Sequence, residues 1–193
     1  METVNTKLNH ILETQRLRLR QFTLNDTKFI IELLNSPEWI EFIGDRNVKT
    51  KAQAIEYLQN GPLKSYSKNG YGLSMVETKD GQAIGMCGII KRDTLDNPDI
   101  GFAFLKEFMG NGYAYEIASA TLSHAINDLK ISKVSAITLP HNARSIKLLE
   151  KLGMRLIKSF ISVPAFMEAL SSITFICAVS NLVFSDWAVV SSL

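Results

Sequence analysis

The chain has 193 residues, of which 46% are hydrophobic and 9% aromatic, and its 21 basic and 19 acidic residues give a net charge of +2. This length is typical of one globular domain, which buries roughly 70% of the surface of its unfolded chain. The near-neutral balance, with no block of like charges, argues against the basic footprint of a general nucleic-acid-binding protein.

One strand and about three helical pieces are predicted in the first third of the chain. Residues 14–20 alternate, with leucines on one face and Arg16, Arg18 and Arg20 on the other, which is typical of a half-buried strand. Helix start signals follow at residues 25–26, at 36–37 and at the capping box 50–53. We expect the last of these helices to stop at Gly61 and Pro62.

The middle of the chain changes from helical to strand periodicity. Residues 71–78 and 82–92 read as a hairpin, and residues 100–105 read as a third adjacent strand, which together predict an antiparallel meander. A helix over 112–129, a strand over 134–139 and a helix over 142–152 follow. The sequence therefore predicts a mixed α/β (α+β) fold without an internal domain boundary.

A glycine-containing segment, residues 108–114, lies between a predicted strand and a predicted helix. Glycines let backbone amides approach a phosphate closely, and the positive end of the helix dipole stabilises its charge. The alternative is that Gly110 and Gly112 only turn the chain. Tyr115 at the third glycine position excludes the dinucleotide fingerprint, and the lysine of a nucleotide P-loop is absent.

A second pattern follows about thirty residues later, with Asn142, Ser145, Glu150, Lys151 and Gly153 in one helix and its end. With Gly112 and Ala114 in the first loop, this pattern resembles the GNAT acyl-CoA N-acyltransferases. The runs TQRLRLRQFTLND and DIGFAFLKEFMGNGYAYE resemble the branch of that family that acetylates ribosomal-protein N-termini. The resemblance covers residues 13–163.

The resemblance implies a twisted mixed sheet flanked by helices and split at its middle to admit acetyl-CoA as cosubstrate. It implies a primary-amine acceptor, on a small molecule or a protein N-terminus. The implied cofactor-binding residues are Phe104, Leu105, Gly110, Asn111, Gly112, Tyr113, Ala114, Asn142 and Ser145. The chain departs from the family at Met109, where a Gln or Arg is usual, and at Leu149, where many members have a Tyr.

The predicted chemistry is direct attack of the amine on the thioester. A backbone amide of the strand 100–105 is expected to stabilise the oxyanion, and Ser145 is expected to protonate the departing thiolate. The alternative for Ser145 is a hydrogen bond to the helix backbone. Asp99 is the first candidate base, against the alternative of a solvated turn residue, and Glu77 and Asp93 are lesser candidates.

Aromatic and histidine side chains leave alternatives open. Trp39 and Phe42 line an acceptor pocket or pack in the core. His141 and His124 read as a surface residue and a helix-face residue. Three histidines without paired spacing predict no metal site.

The segment 164–193 is atypical, because it is apolar and unlike the end of the family pattern. A buried strand, an interface that pairs two copies into a homodimer, a membrane anchor and a frameshifted end remain open alternatives. Two cysteines and no signal peptide predict a cytoplasmic protein without a membrane partner. The rival to an enzyme is a non-catalytic acyl-CoA-binding or sensor module.

Overall fold

The computed structural model describes residues 9–160 and 172–178. Within these residues eight strands form one mixed sheet in the order β1-β2-β3-β4-β5-β6-β8-β7. All neighbouring strands are antiparallel except β5 and β6, which are parallel. The strands are β1 His10–Glu13, β2 Leu17–Arg20, β3 Leu73–Thr78, β4 Ala83–Ile90, β5 Asp99–Phe104, β6 Lys133–Thr138, β7 Arg155–Phe160 and β8 Ser172–Ala178.

Helices cover both faces of the sheet, which gives two hydrophobic clusters. The alternation of side chains along β3 sends Met75 into a cluster with α1, α2 and α3, and Val76 into a cluster with α5 and α6. The helices are α1 Thr27–Leu34, α2 Pro37–Phe42, α3 Lys51–Leu58, α4 Lys64–Asn69, α5 Tyr113–Asn127 and α6 Ala143–Lys151. The predicted mixed sheet flanked by helices is confirmed.

The sheet opens between its two parallel strands. β5 and β6 share one register position, Asp99 beside Ser135, where the Ser135 N–H donates to the Pro98 carbonyl at 2.8 Å. On its other edge β5 pairs with β4 along its whole length. The sheet is therefore split toward the carboxyl ends of β5 and β6, as the resemblance implied.

The start signals of two helices are confirmed in detail. Ser36 accepts the N–H of Trp39 at the start of α2, and Thr50 and Gln53 form the expected capping box of α3. The predicted stop at Gly61 and Pro62 is wrong. A π turn, Gln59–Leu63, carries the helix into α4, and its wider hydrogen-bond spacing accommodates a proline without an N–H.

Two expectations for the first strand are also wrong. A strand preceding it, β1, was not predicted, because it has only four residues and its two apolar ones, Ile11 and Leu12, are adjacent instead of alternating; it pairs with β2. Arg20 does not face solvent: it is 5% exposed and forms ion pairs with Asp26 at 2.9 Å and Glu77 at 2.7 Å. Two carboxylates compensate the burial of its charge, which a local pattern does not reveal.

Strand β8 lies within the atypical C-terminal segment and pairs with both β6 and β7. The backbone of residues 172–178 thus forms a strand of the central sheet, in line with the strand alternative. The remainder of that segment, 164–171 and 179–193, lies outside the described residues.

Candidate active site

The loop before α5 presents unused backbone donors. Gly110 and Gly112 have φ angles of +81° and +80°, in the left-handed region that favours glycine. The N–H groups of residues 110–114 form no hydrogen bond with the part of the chain that the structure describes. Because the positive end of the α5 dipole lies here, the loop suits a phosphate anion.

Arg16 fixes a positive charge behind this loop. Its Nη1 donates to the Asn111 carbonyl at 3.0 Å, and its guanidinium lies 4.6 Å from the centre of the Tyr113 ring. Its Nε donates to Glu116 at 2.7 Å. Sequence reasoning missed this role, because the alternation of residues 14–20 placed Arg16 on a solvent face.

Glu116 ties the start of α5 to the segment before β2. It accepts hydrogen bonds from the Thr14 hydroxyl at 2.6 Å and the Arg16 N–H at 2.9 Å. Burial raises the pKa of Glu116, but the hydrogen bonds from Thr14 and Arg16 outweigh it and hold the pKa below its usual range. The carboxylate therefore anchors the loop from behind.

Met109, which stands where the family usually has a Gln or Arg, lies next to a basic side chain. The Nη1 of Arg144, an exposed residue in the first turn of α6, lies 3.6 Å from the Met109 sulfur. Arg144 thus brings a guanidinium to the position where the sequence lacks a polar side chain. The sequence alone gave no signal for this contact between two separate elements.

Asn142 caps α6, since its Oδ1 accepts the Ser145 N–H at 3.0 Å. The hydroxyl of Ser145 forms no hydrogen bond within the described residues, and the side chain is partly exposed. Asn142 therefore caps the helix, and the Ser145 hydroxyl is available to form a hydrogen bond with a bound molecule. Leu149, one turn later, is 1% exposed in the core.

Two backbone amides of β5 point into the split. The Leu105 N–H donates to the Ile84 carbonyl at 3.0 Å, and amides alternate in direction along a strand. The N–H groups of Phe102 and Phe104 therefore point away from β4, toward β6. Leu105 has its N–H committed to β4, and its carbonyl accepts the Phe108 N–H at 3.0 Å.

Asp99 lies apart from the loop. It begins β5, so roughly 17 Å of strand separates it from Phe104. It is 2% exposed, and both carboxylate oxygens accept from the Arg92 Nε, at 2.9 and 3.0 Å. Burial raises its pKa despite the charge of Arg92. The solvated-turn alternative is thus wrong, while its role as base stays a prediction.

The other candidate bases are also placed. Glu77 is buried and paired with Arg20, whereas Asp93 is exposed in the turn after β4. The His124 Nδ1, in the last turn of α5, lies 2.6 Å from the carboxylate of Asp128, just after the helix. Within the described residues no group of three or more His, Cys, Asp or Glu side chains is arranged to hold a metal ion.

A cavity of about 320 Å³ lies where the carboxyl ends of β5 and β6 separate, between α2 and the start of α6. Asn142 and Ala143 contribute to its wall, as do the side chains of Glu38, Glu41, Phe42, Lys106, His141 and Arg144. The Phe42 and His141 rings are 5.8 Å apart. Trp39 instead packs in the core and donates to the Gly44 carbonyl at 3.1 Å. No motif or spacing in the sequence had predicted that Glu38, Glu41 and Lys106 would lie at this cavity.

Residues 16–155 match the family model described as an acetyltransferase (GNAT) domain. The chain belongs to the GNAT family. A Bacillus subtilis (strain 168) protein named "Uncharacterized N-acetyltransferase YoaA" is 30% identical over 148 residues, which cover 75% of this chain and 82% of that protein. The chain is therefore an acetyltransferase by family, and several of its relatives are named N-acetyltransferases.

Solved structures share the GNAT fold. A GNAT-family acetyltransferase from Bacillus anthracis superposes with a TM-score of 0.73 at 22% identity, covering 86% of this chain and 97% of its own. A ribosomal-protein-S5-alanine acetyltransferase from Vibrio fischeri superposes with a TM-score of 0.73 at 16% identity, covering 86% and 95%. The predicted resemblance to the GNAT family is confirmed, and the structural neighbours include a protein named as a ribosomal-protein acetyltransferase. Among the described residues, no helix of this GNAT protein has the length and apolarity to span a membrane.

Proposed function

We propose that this GNAT protein transfers the acetyl group of acetyl-CoA to a primary amine, on a small molecule or a protein N-terminus, by direct attack on the thioester. The observation that carries the proposal is the set of N–H groups over residues 110–114, which have no hydrogen-bond partner among the described residues and lie at the start of α5 beside the split in the sheet. When bound, acetyl-CoA supplies an activated thioester and a thiolate leaving group.

The loop residues bind the pyrophosphate. Free amides from Gly110 through Ala114 donate to its oxygens, and Arg144 adds a guanidinium beside Met109. Gly112 lets the loop keep the conformation that presents these N–H groups, because a residue with a side chain would be strained at φ +80°. Asn142 retains its Nδ2 for the amide carbonyls of the pantetheine chain.

Backbone amides of β5 stabilise the developing oxyanion. The N–H groups of Phe102 and Phe104 point into the split, where the separation of β6 leaves room for the acyl group. Ser145, in the first turn of α6, gives a proton to the departing thiolate and regains one from solvent, since its hydroxyl is not engaged with the described residues. A thiol has an ordinary pKa of about 8.5, so little assistance is required.

A base removes the proton of the attacking ammonium, directly or through water. Asp99 is the first acid to replace, although its ion pair with Arg92 and its place at the start of β5 require a water-mediated path. A pH profile of kcat/KM for Asp99→Asn tests the assignment. If the Asp99→Asn profile loses its acidic limb, Asp99 is the base. A profile unchanged from wild type contradicts this assignment.

Residues 13–163 carry the activity in this proposal. The acceptor is an amine rather than a nucleic acid or a membrane, the protein acts in the cytoplasm without a metal, and the segment 164–193 forms a homodimer contact. Size determination of the full chain and of a variant substituted within residues 179–193 tests the dimer. A monomeric full chain contradicts it.

Amine-dependent release of CoA tests the proposed function directly. Thiol release from acetyl-CoA is measured against N-terminal peptides, polyamines and aminoglycosides, with product mass confirming one added acetyl group. Release that depends on the amine supports the proposal. Tight CoA binding without turnover on the whole panel favours the acyl-CoA sensor instead.

A further inference from the structure

Arg16, the residue just before β2, is held by two groups at the start of α5. Its Nη1 donates to the Asn111 carbonyl at 3.0 Å, and its Nε donates to the Glu116 carboxylate at 2.7 Å. The guanidinium is planar and rigid, so these two bonds fix its position against the loop before α5. The Arg16 side chain is 45% exposed, and an ion pair at this exposure contributes little to stability. Stability alone therefore does not account for this arrangement.

The bond to Asn111 sets the direction of a neighbouring N–H. The Asn111 carbonyl and the Gly112 N–H belong to one peptide unit, and no cis peptide bond occurs among the described residues. In a trans peptide these two groups point in opposite directions. Because the carbonyl points toward Arg16, the Gly112 N–H points away from it. That N–H has no hydrogen-bond partner in the described part of the chain, and Gly112 is exposed, so a phosphate oxygen can approach it.

The loop has little rigidity of its own at this peptide unit. Gly110 and Gly112 flank Asn111, and glycine has a wider choice of backbone angles than any other residue. Ordering such a loop when a ligand binds costs conformational entropy. A guanidinium that holds the peptide unit in place beforehand removes part of that cost. Arg16 thus prepares the loop for an anion before the anion arrives.

Arg16 acts here through position, because its charge is already balanced. The lowered pKa of Glu116 keeps the carboxylate beside Arg16 ionised at neutral pH. A pair without net charge attracts a phosphate only weakly from a distance. The Tyr113 ring, whose centre lies 4.6 Å from the guanidinium, supports the same placement from another side.

We propose that Arg16 is a positioning residue, which holds the peptide unit between Asn111 and Gly112 so that the Gly112 N–H meets the pyrophosphate of acetyl-CoA. This inference rests on the proposed function and deepens its cofactor site. Because Arg16 acts through the loop, its effect is expected at the pyrophosphate and not at the thioester or the amine.

Two acetyl donors test the inference, because only one of them contains a pyrophosphate. The full chain is assayed with acetyl-CoA and with S-acetylpantetheine, which carries the same thioester and ends before the phosphates. For Arg16→Met we expect kcat/KM with acetyl-CoA to fall about tenfold through KM, with kcat unchanged, and kcat/KM with S-acetylpantetheine to stay the same. Equal losses with both donors overturn the inference, since a general disturbance of the site lowers both.

Two further variants separate position from charge. Arg16→Lys keeps the charge but lacks the planar fork that reaches the carbonyl and the carboxylate together, so we expect it to lose almost as much CoA affinity as Arg16→Met. Wild-type affinity in Arg16→Lys assigns the effect to charge and overturns the inference. Arg18→Met is the matched control, because Arg18 lies in β2 with its own carboxylate partner, Glu13, at 3.2 Å. It is expected to leave the kinetics with both donors unchanged.

Calorimetry with CoA tests the same inference without an acceptor amine. The dissociation constant is expected to rise about tenfold in Arg16→Met. In this variant Glu116 keeps its hydrogen bonds from the Thr14 hydroxyl and the backbone N–H of residue 16, so the protein is expected to fold, and its melting temperature checks this. An unchanged dissociation constant in folded Arg16→Met overturns the inference and leaves the proposed function standing. A wild-type chain that does not bind CoA contradicts both.

Discussion

The guanidinium of Arg144, in the first turn of α6, lies against the sulfur of Met109, in the loop before α5, at 3.6 Å. Arg144 lies thirty-five residues after Met109 in the chain. Its positive charge nevertheless lies beside the loop whose N–H groups have no partner among the described residues. A thioether gains little from a guanidinium, whereas a phosphate gains a charge-assisted hydrogen bond. Under the proposed function we expect Arg144 to contact the pyrophosphate from α6, in place of a charged residue in the loop.

Arg144→Ala is expected to weaken CoA binding about tenfold, equivalent to about 1.4 kcal/mol, through loss of this contact. The measurement is the dissociation constant of CoA by calorimetry. Met109→Arg in the Arg144→Ala background is expected to restore affinity by supplying the charge from the loop. Lys147→Ala, exposed on the same helix, is the control. Equal losses in Arg144→Ala and Lys147→Ala would show a general charge effect.

Gly112→Val is expected to abolish detectable acetyl-CoA binding in a folded protein. A β-branched side chain is strained at φ +80°, so the loop is expected to leave the conformation that presents its N–H groups; an added Cβ would make only ordinary contact, at 3.4 Å, with the Arg16 Nη2. Gly81→Val, at φ +89° in the hairpin of β3 and β4 with open space around it, controls for strain. Both variants are expected to melt at a lower temperature, while only Gly112→Val loses the cofactor. Retained acetyl-CoA affinity in folded Gly112→Val would show that this loop does not bind the cofactor.

Ser145→Ala is expected to lower kcat by roughly 10- to 1,000-fold and to leave the melting temperature unchanged. The reason is that Asn142 provides the cap, and its bond to the Ser145 N–H survives the substitution. Asn142→Ala is the structural counterpart and is expected to cost about 1 kcal/mol, or about 2–4 °C in Tm. A normal kcat in Ser145→Ala would leave catalysis to positioning and the β5 amides.

Glu116 is expected to make stability depend on pH. Its pKa is lower in the folded chain than in the unfolded chain, so its contribution is fully present above the ordinary glutamate pKa and is lost as the pH falls through the folded value. Glu116→Ala is expected to cost about 2 kcal/mol at pH 7, because three hydrogen bonds to the carboxylate disappear.

Thermal unfolding between pH 3 and pH 7 measures this dependence. The difference in stability between wild type and Glu116→Ala is expected to shrink as the pH falls. A constant difference across the range would contradict an ionised Glu116 as the source. Glu150→Ala, exposed on α6, is the control for a change of surface charge.

The sequence alone determined the elements whose signals are local. Some features depend only on residues a few positions apart, so a short stretch of sequence predicts them: the capping box of Thr50 and Gln53, the Ser36 cap and the two glycines of the loop. The two GNAT motifs are local in the same sense, and together they identified the family and the mixed, split sheet.

The tertiary structure decided which side chains meet. Arg20 is buried because Asp26 and Glu77 arrive from separate elements. Arg144 reaches Met109 because β5 and β6 are parallel, so the segments that follow them lie at the same edge of the sheet. Charge compensation and cavity formation depend on long-range contacts, and the periodicity of one segment does not record what another segment places against it.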